Sequence, residues 1–157
     1  ALTRLDAAGF QKAFSDILSE LADEIPEKYL EFHEAYYHSI FYMVAKIAGQ
    51  KVTLEVSVAE GRFDAYYQAP DGTRFVIEFK YCPWQEKDDD TKITYSDAQL
   101  KKLSEDMEKK ADEATRQIET RNYAQPYRKP GQTIYKVALV VGGRTRVLAV
   151  FKRDEDV

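Results

Sequence analysis

The feature that most constrains this chain is a polarity pattern centred on Pro70-Asp71-Gly72. Pro presets φ for a turn and Gly tolerates the positive φ of a tight reversal, so the tripeptide predicts that the chain doubles back. Before it, residues 62–68 alternate apolar and polar; after it, residues 74–81 are nearly continuously apolar apart from their charges. The first pattern reads as a half-buried strand and the second as a central one. Centring the hairpin on Asp71 makes paired positions sum to 142, so Phe63 meets Phe79, Ala65 meets Ile77 and Tyr67 meets Phe75. That face is apolar throughout, which supports the register; a slip of two residues would set Asp64 and Glu78 diagonally but keep them on the same face. On the other face the register sets Arg62 opposite Lys80, Tyr66 opposite Val76 and Asp64 opposite Glu78.

The remaining elements follow from period and punctuation. Asp6 caps an expected first helix to Ala22, with Phe10, Phe14, Ile17 and Leu21 on one face. Ile25-Pro26 interrupts it, and a second helix is expected from Glu27 to Ala48, with Leu30, Tyr37, Phe41 and Val44 on its stripe. Gly49 is a natural stop. Val52 to Val58 alternates as a strand. Residues 82–96, with Pro83 and the run Asp88-Asp89-Asp90, read as a loop. Ser96 or Asp97 opens a long helix to Tyr123 with the stripe Leu100, Leu103, Met107, Ala111, Ala114 and Ile118. Ile134 to Val141 is an apolar strand, Gly142-Gly143 a hairpin turn, and Val147 to Phe151 a last strand. The order α-α-β-β-β-α-β-β is mixed α/β, expected as one domain over residues 1–157 with residues 1–25 as a helical extension.

Two carboxylates opposite each other on a sheet have Cα atoms ~5 Å apart and repel. One reading of Asp64, Glu78, Lys80 and Arg62 is a solvated strand edge of surface pairs. The other is a seat for a divalent cation, with Lys80 on the same face as Glu78. Glu34 sits on the apolar stripe of the second helix. An acid there is either bonded to a Tyr hydroxyl, shielded at the stripe's edge, or bound to metal. One cysteine, Cys82, and two histidines exclude an internal disulfide framework and a Cys-based zinc site. Metal chemistry would therefore rest on carboxylates, which favour Mg²⁺ or Mn²⁺. The lone cysteine is compatible with a cytoplasmic location. No apolar run is long enough for a membrane span. A net charge of −4 weighs against a nonspecific nucleic-acid coat protein, although a local basic rim is allowed.

Gly61-Arg62-Phe63-Asp64 followed by Ile77-Glu78-Phe79-Lys80 resembles the D…(E)XK signature of the PD-(D/E)XK nuclease superfamily. Together with Glu34-Ala35-Tyr36-Tyr37-His38, Gln117-Ile118, Tyr123-Ala124 and Tyr127, it is similar to the branch found C-terminal to AAA-ATPase-like domains in prokaryotic proteins. The resemblance spans about Phe32 to Val150. It implies a restriction-endonuclease-like αβββαβ core, a mixed sheet flanked by helices, with the first helix as an addition. It implies that Asp64, Glu78, the Phe79 carbonyl and Glu34 hold Mg²⁺ or Mn²⁺. Lys80 would assist the attacking water, and Gln117 and Tyr123 would lie near the site. The expected activity is hydrolysis of DNA, with RNA as the other candidate substrate. Arg62, Arg116, Arg121, Arg128 and Lys129 are the candidate phosphate contacts. The alternative is an inactive nuclease-fold module binding nucleic acid or a protein partner within an ATPase-containing protein. The Gln-to-Tyr interval is six, longer than the four of RecB-like nucleases. No GxxxxGK[ST] loop occurs, so ATPase activity would belong to a separate N-terminal domain, of which this chain would be the excised C-terminal companion.

Overall fold

The computed structural model of the protein describes residues 7–24, 40–43, 52–58, 61–82, 96–143 and 146–154. Helix α1 (Ala7–Glu24) precedes three strands, β1 (Val52–Val58), β2 (Gly61–Gln68) and β3 (Arg74–Cys82). Helix α2 (Asp97–Thr120) follows, then a short 3-10 turn (Gln125–Tyr127), β4 (Ile134–Gly142) and β5 (Arg146–Arg153). One sheet carries the strands in the order β1-β2-β3-β4-β5. Its neighbours are antiparallel except β3 and β4, which run parallel. A parallel pair needs a crossover, and α2 provides it. This is the mixed α/β sheet with flanking helices that the sequence predicts. Among the described residues no helix is long and apolar enough to cross a membrane.

The hairpin register is the expected one. Gln68 pairs with Arg74, Tyr67 with Phe75, Tyr66 with Val76 and Ala65 with Ile77. The turn is closed by Gly72 N–H donating to the Ala69 carbonyl at 2.9 Å, with Gly72 at φ +92°. One face of the sheet packs Ala65, Tyr67, Phe75, Ile77 and Phe79 against Phe14 and Leu18 of α1 and against Ile40 and Phe41. On the opposite face Leu103, Met107, Ala111 and Ala114 of α2 cover Cys82, Ala138 and Val140. Ile118, Tyr123 and Ala124 cover Val76 and Ile134 there. Covered on both faces, β3 is the central strand, which explains its apolar sequence.

The expected second helix is described only at residues 40–43, which are helical. With Glu34 expected to join Asp64 and Glu78, this helix is expected near the carboxylate face; at this turn it takes the other face. Phe41 packs edge-on to Phe79 with ring centroids 5.2 Å apart, on the face that α1 covers. A large apolar ring gains most by joining the aromatic cluster there.

Helix α2 opens with a capping box. Gln99 N–H donates to Ser96 Oγ at 3.2 Å, and Ser96 N–H donates to Gln99 Oε1 at 2.8 Å. It closes three residues before the expected Tyr123. Asn122 takes φ +53°, its N–H donates to the Glu119 carbonyl, and Tyr123 N–H donates to the Ile118 carbonyl. These two bonds are a Schellman stop with Asn in the left-handed position, and Tyr123 packs in the same cluster as Ile118. Gly142 also departs from expectation, ending β4 as a strand residue. A Cβ there would lie 2.3 Å from Met107 Sδ, so glycine lets α2 approach the sheet closely.

Candidate active site

Tyr66 of β2 and Val76 of β3 face α2, where they pack with Ile118. Asp64, Glu78 and Lys80 fall on that same face by strand periodicity. The backbone pairs run as far as Ala65 with Ile77. One step further, Phe79 N–H donates to Asp64 Oδ2 at 2.7 Å. The carboxylate of Asp64 thus reaches across to the β3 backbone beside Glu78. The N–H and C=O of one strand residue point to the same side, so the Phe79 carbonyl is directed toward β2 as well.

Glu78 is 4% exposed, whereas Asp64 and Lys80 are half-buried. Burying a carboxylate costs several kcal/mol of desolvation, on the order of that for any ion, unless charge or hydrogen bonds offset it. Lys80 lies on the same face and is fixed from above. Its Nζ donates to Gln117 Oε1 of α2 at 3.1 Å. Asp64, Glu78 and Lys80 thus share one face of the sheet by strand periodicity, and Gln117 of α2 meets Lys80 there.

Tyr123 enters this region by another route. The Schellman stop turns it under the start of β2, where it is buried at 3% exposure. A Cβ on Gly61 would lie 3.3 Å from the Tyr123 hydroxyl oxygen and 3.4 Å from Cε1. Gly61 also holds φ +144°, a backbone state that side-chain-bearing residues rarely adopt. The interval of six between Gln117 and Tyr123 is therefore bridged by the cap rather than by a shared helix face.

Glu34 lies outside the described residues, as do residues 83–95 of the expected loop and the side chain of Arg62. Among the described residues no three His, Cys, Asp or Glu side chains cluster to hold a metal. The carboxylates of Asp64 and Glu78 and the Phe79 carbonyl are hard oxygen donors, the type that suits Mg²⁺ or Mn²⁺. Arg116, Arg121 and Lys129 are exposed. Arg128 is engaged elsewhere. Its Nε and Nη2 donate to the two carboxylate oxygens of Asp154 at 2.8 and 3.1 Å.

Sequence reasoning missed the network around Asp154. That carboxylate is fully buried, and Lys136 Nζ of β4 approaches it to 3.4 Å. Glu119 of α2 lies 3.6 Å from Lys136 and pairs with Lys152 at 2.5 Å. The Arg128 guanidinium holds the Asp154 carboxyl below the usual carboxylate range, against the opposing effect of burial. Beside the site, Tyr66 and Tyr127 stack with centroids 4.1 Å apart, and burial raises both phenols above their ordinary value.

A sequence model described as the PD-(D/E)XK nuclease superfamily matches residues 32–151. No curated protein and no solved structure gave a significant match.

Proposed function

Because the chain belongs to the PD-(D/E)XK nuclease superfamily, we propose that it is a metal-dependent nuclease domain hydrolysing phosphodiester bonds in DNA. The observation that carries this reading is the shared face of Asp64, Glu78 and Lys80, with the Lys80 ammonium hydrogen-bonded to Gln117. Asp64, Glu78 and the Phe79 carbonyl would hold Mg²⁺ or Mn²⁺, and Glu34 would add a further oxygen. When bound, such an ion lowers the pKa of a water and offsets charge on a phosphoryl group.

The chain's own residues have separate tasks. Lys80 orients the attacking water and offsets the negative charge that builds on the phosphate. Gln117 fixes the direction of the ammonium. The Phe79 N–H holds one oxygen of Asp64, which aims the other. Arg62, Arg116, Arg121 and Lys129 contact the phosphate backbone. Arg128 holds Asp154 instead and is given a structural task. Residues 1–157 act as one domain.

Cleavage of circular and of single-stranded DNA, with an RNA oligonucleotide in parallel, tests this reading. Wild type should cut DNA with Mg²⁺ or Mn²⁺ and lose this with chelator, and Asp64→Ala should be inactive with either metal. Cleavage of RNA alone would replace the substrate. Binding without cleavage under every metal condition would favour an inactive nucleic-acid-binding module.

A further inference from the structure

We propose that helix α1 is a positioning element of the candidate site, acting through an aromatic column beneath it; this rests on the nuclease reading above. The helix precedes the family-matched segment, which begins at residue 32. Yet Phe14 and Leu18 of α1 are each only 2% exposed and belong to the same core as Phe79. The column has four rings. Phe10 and Phe14 stack at 5.8 Å, both meet Phe41 edge-on at 6.1 and 6.0 Å, and Phe41 meets Phe79 at 5.2 Å.

Phe79 is where packing and chemistry share one residue. Its ring lies on the α1 face, and its flanking residues Glu78 and Lys80 point to the other face. Its backbone N–H is the donor to Asp64 Oδ2. Strand pleating couples these directions, so a ring that sinks carries the amide and both flanking side chains with it. Close-packed interiors transmit such displacements rather than absorbing them. The helix is also pinned in rotation. Gln11 Oε1 accepts from the Ala149 N–H of β5, the edge strand among the described residues, at 2.7 Å. Helix α1 thus reaches the site from behind, without contributing a group to it.

The test uses the full chain and the variant Phe14→Leu, which shortens the column while keeping an apolar residue. Phe10→Leu, at a half-buried ring, serves as the milder variant if Phe14→Leu does not fold. Measurements are made well below each melting temperature. A displacement of about 1 Å can cost on the order of a hundredfold in rate, so a partial loss of the column should lower kcat roughly tenfold. KM for DNA should stay within about twofold, because none of the proposed phosphate contacts lies on α1. The Phe79 amide resonance should shift and its hydrogen exchange should accelerate, while amides in the capping box of α2 stay unchanged. Phe14→Tyr, which keeps the ring, should restore the Phe79 amide toward its wild-type position. A lower melting temperature with unchanged kcat and an unmoved Phe79 amide would overturn the inference and leave the nuclease reading standing. If wild type does not cut, the nuclease reading fails, and the Phe79 amide still decides whether α1 positions this backbone.

Discussion

Replacing Gly61 by alanine tests how the start of β2 is built. Two costs arise. The backbone holds φ +144°, and forcing a side-chain-bearing residue into such a region costs about 1–3 kcal/mol. The new methyl would also lie 3.3 Å from the Tyr123 hydroxyl oxygen and 3.4 Å from Cε1. That ring is buried at 3% exposure and has little room to yield, so overpacking adds about 1 kcal/mol. The total is about 3 kcal/mol, taking the middle of the strain range. For a chain of this size that corresponds to a fall in Tm of roughly 6–12 °C. Urea unfolding followed by circular dichroism measures it directly. A double-mutant cycle with Tyr123→Leu separates the two costs. The steric part, about 1 kcal/mol, should vanish in the Tyr123→Leu background, and the backbone part should remain. A change under about 1 kcal/mol in Gly61→Ala would refute both terms together. A loss fully rescued by Tyr123→Leu would refute the backbone argument alone.

Three further outcomes are expected. Lys80→Ala should lower cleavage by at least about a hundredfold while leaving Mn²⁺ affinity intact or improved, since a cation leaves the ion's neighbourhood; parallel cleavage and calorimetry check both. Gln117→Leu removes the acceptor of the Lys80 ammonium, a charged but half-buried bond worth about 1.5 kcal/mol, so kcat should fall roughly tenfold, with folding followed by circular dichroism. Asp154 has a depressed pKa because it accepts from Arg128. Its stabilising contribution is therefore full above the ordinary Asp value and lost as pH falls through the lower folded value. Asp154→Asn should flatten the acid limb of the stability curve below about pH 4, measured by denaturant unfolding from neutral pH to pH 2.

The hairpin was legible because two independent signals agree. Pro70-Asp71-Gly72 marks where the chain turns, and the apolar set Ala65, Tyr67, Phe75 and Ile77 marks which face is buried; together they point to the observed register. The α2 stripe was legible for a similar reason, since Leu103, Met107, Ala111, Ala114 and Ile118 recur at helical spacing and all are buried. The end of α2 was not. The apolar pattern runs on to Tyr123, and the stop depends on Asn122 adopting a left-handed backbone, which the sequence permits without requiring. The face taken by Phe41 was also not legible. A helical stripe says that one side is buried, but not against which side of the sheet. Arg128 looked like a phosphate contact because its partner is distant in sequence. Asp154 lies 26 residues away, and no local pattern announces such a pair. In the candidate site, strand periodicity put Asp64, Glu78 and Lys80 on one face. The Phe79 N–H bond to Asp64 needed coordinates, because it arises where a side chain takes over from the backbone ladder.

The nuclease reading requires that the carboxylates on the α2 face of the hairpin form a metal-dependent hydrolytic site. Titrating Mn²⁺ into wild type and into Glu78→Ala by calorimetry, with DNA cleavage measured on the same preparations, tests it most directly. Saturable binding and cleavage are expected in wild type, with loss of both in a folded Glu78→Ala protein. Unchanged Mn²⁺ affinity in that variant, or cleavage that persists in it at the wild-type rate, would show that Glu78 holds no catalytic metal.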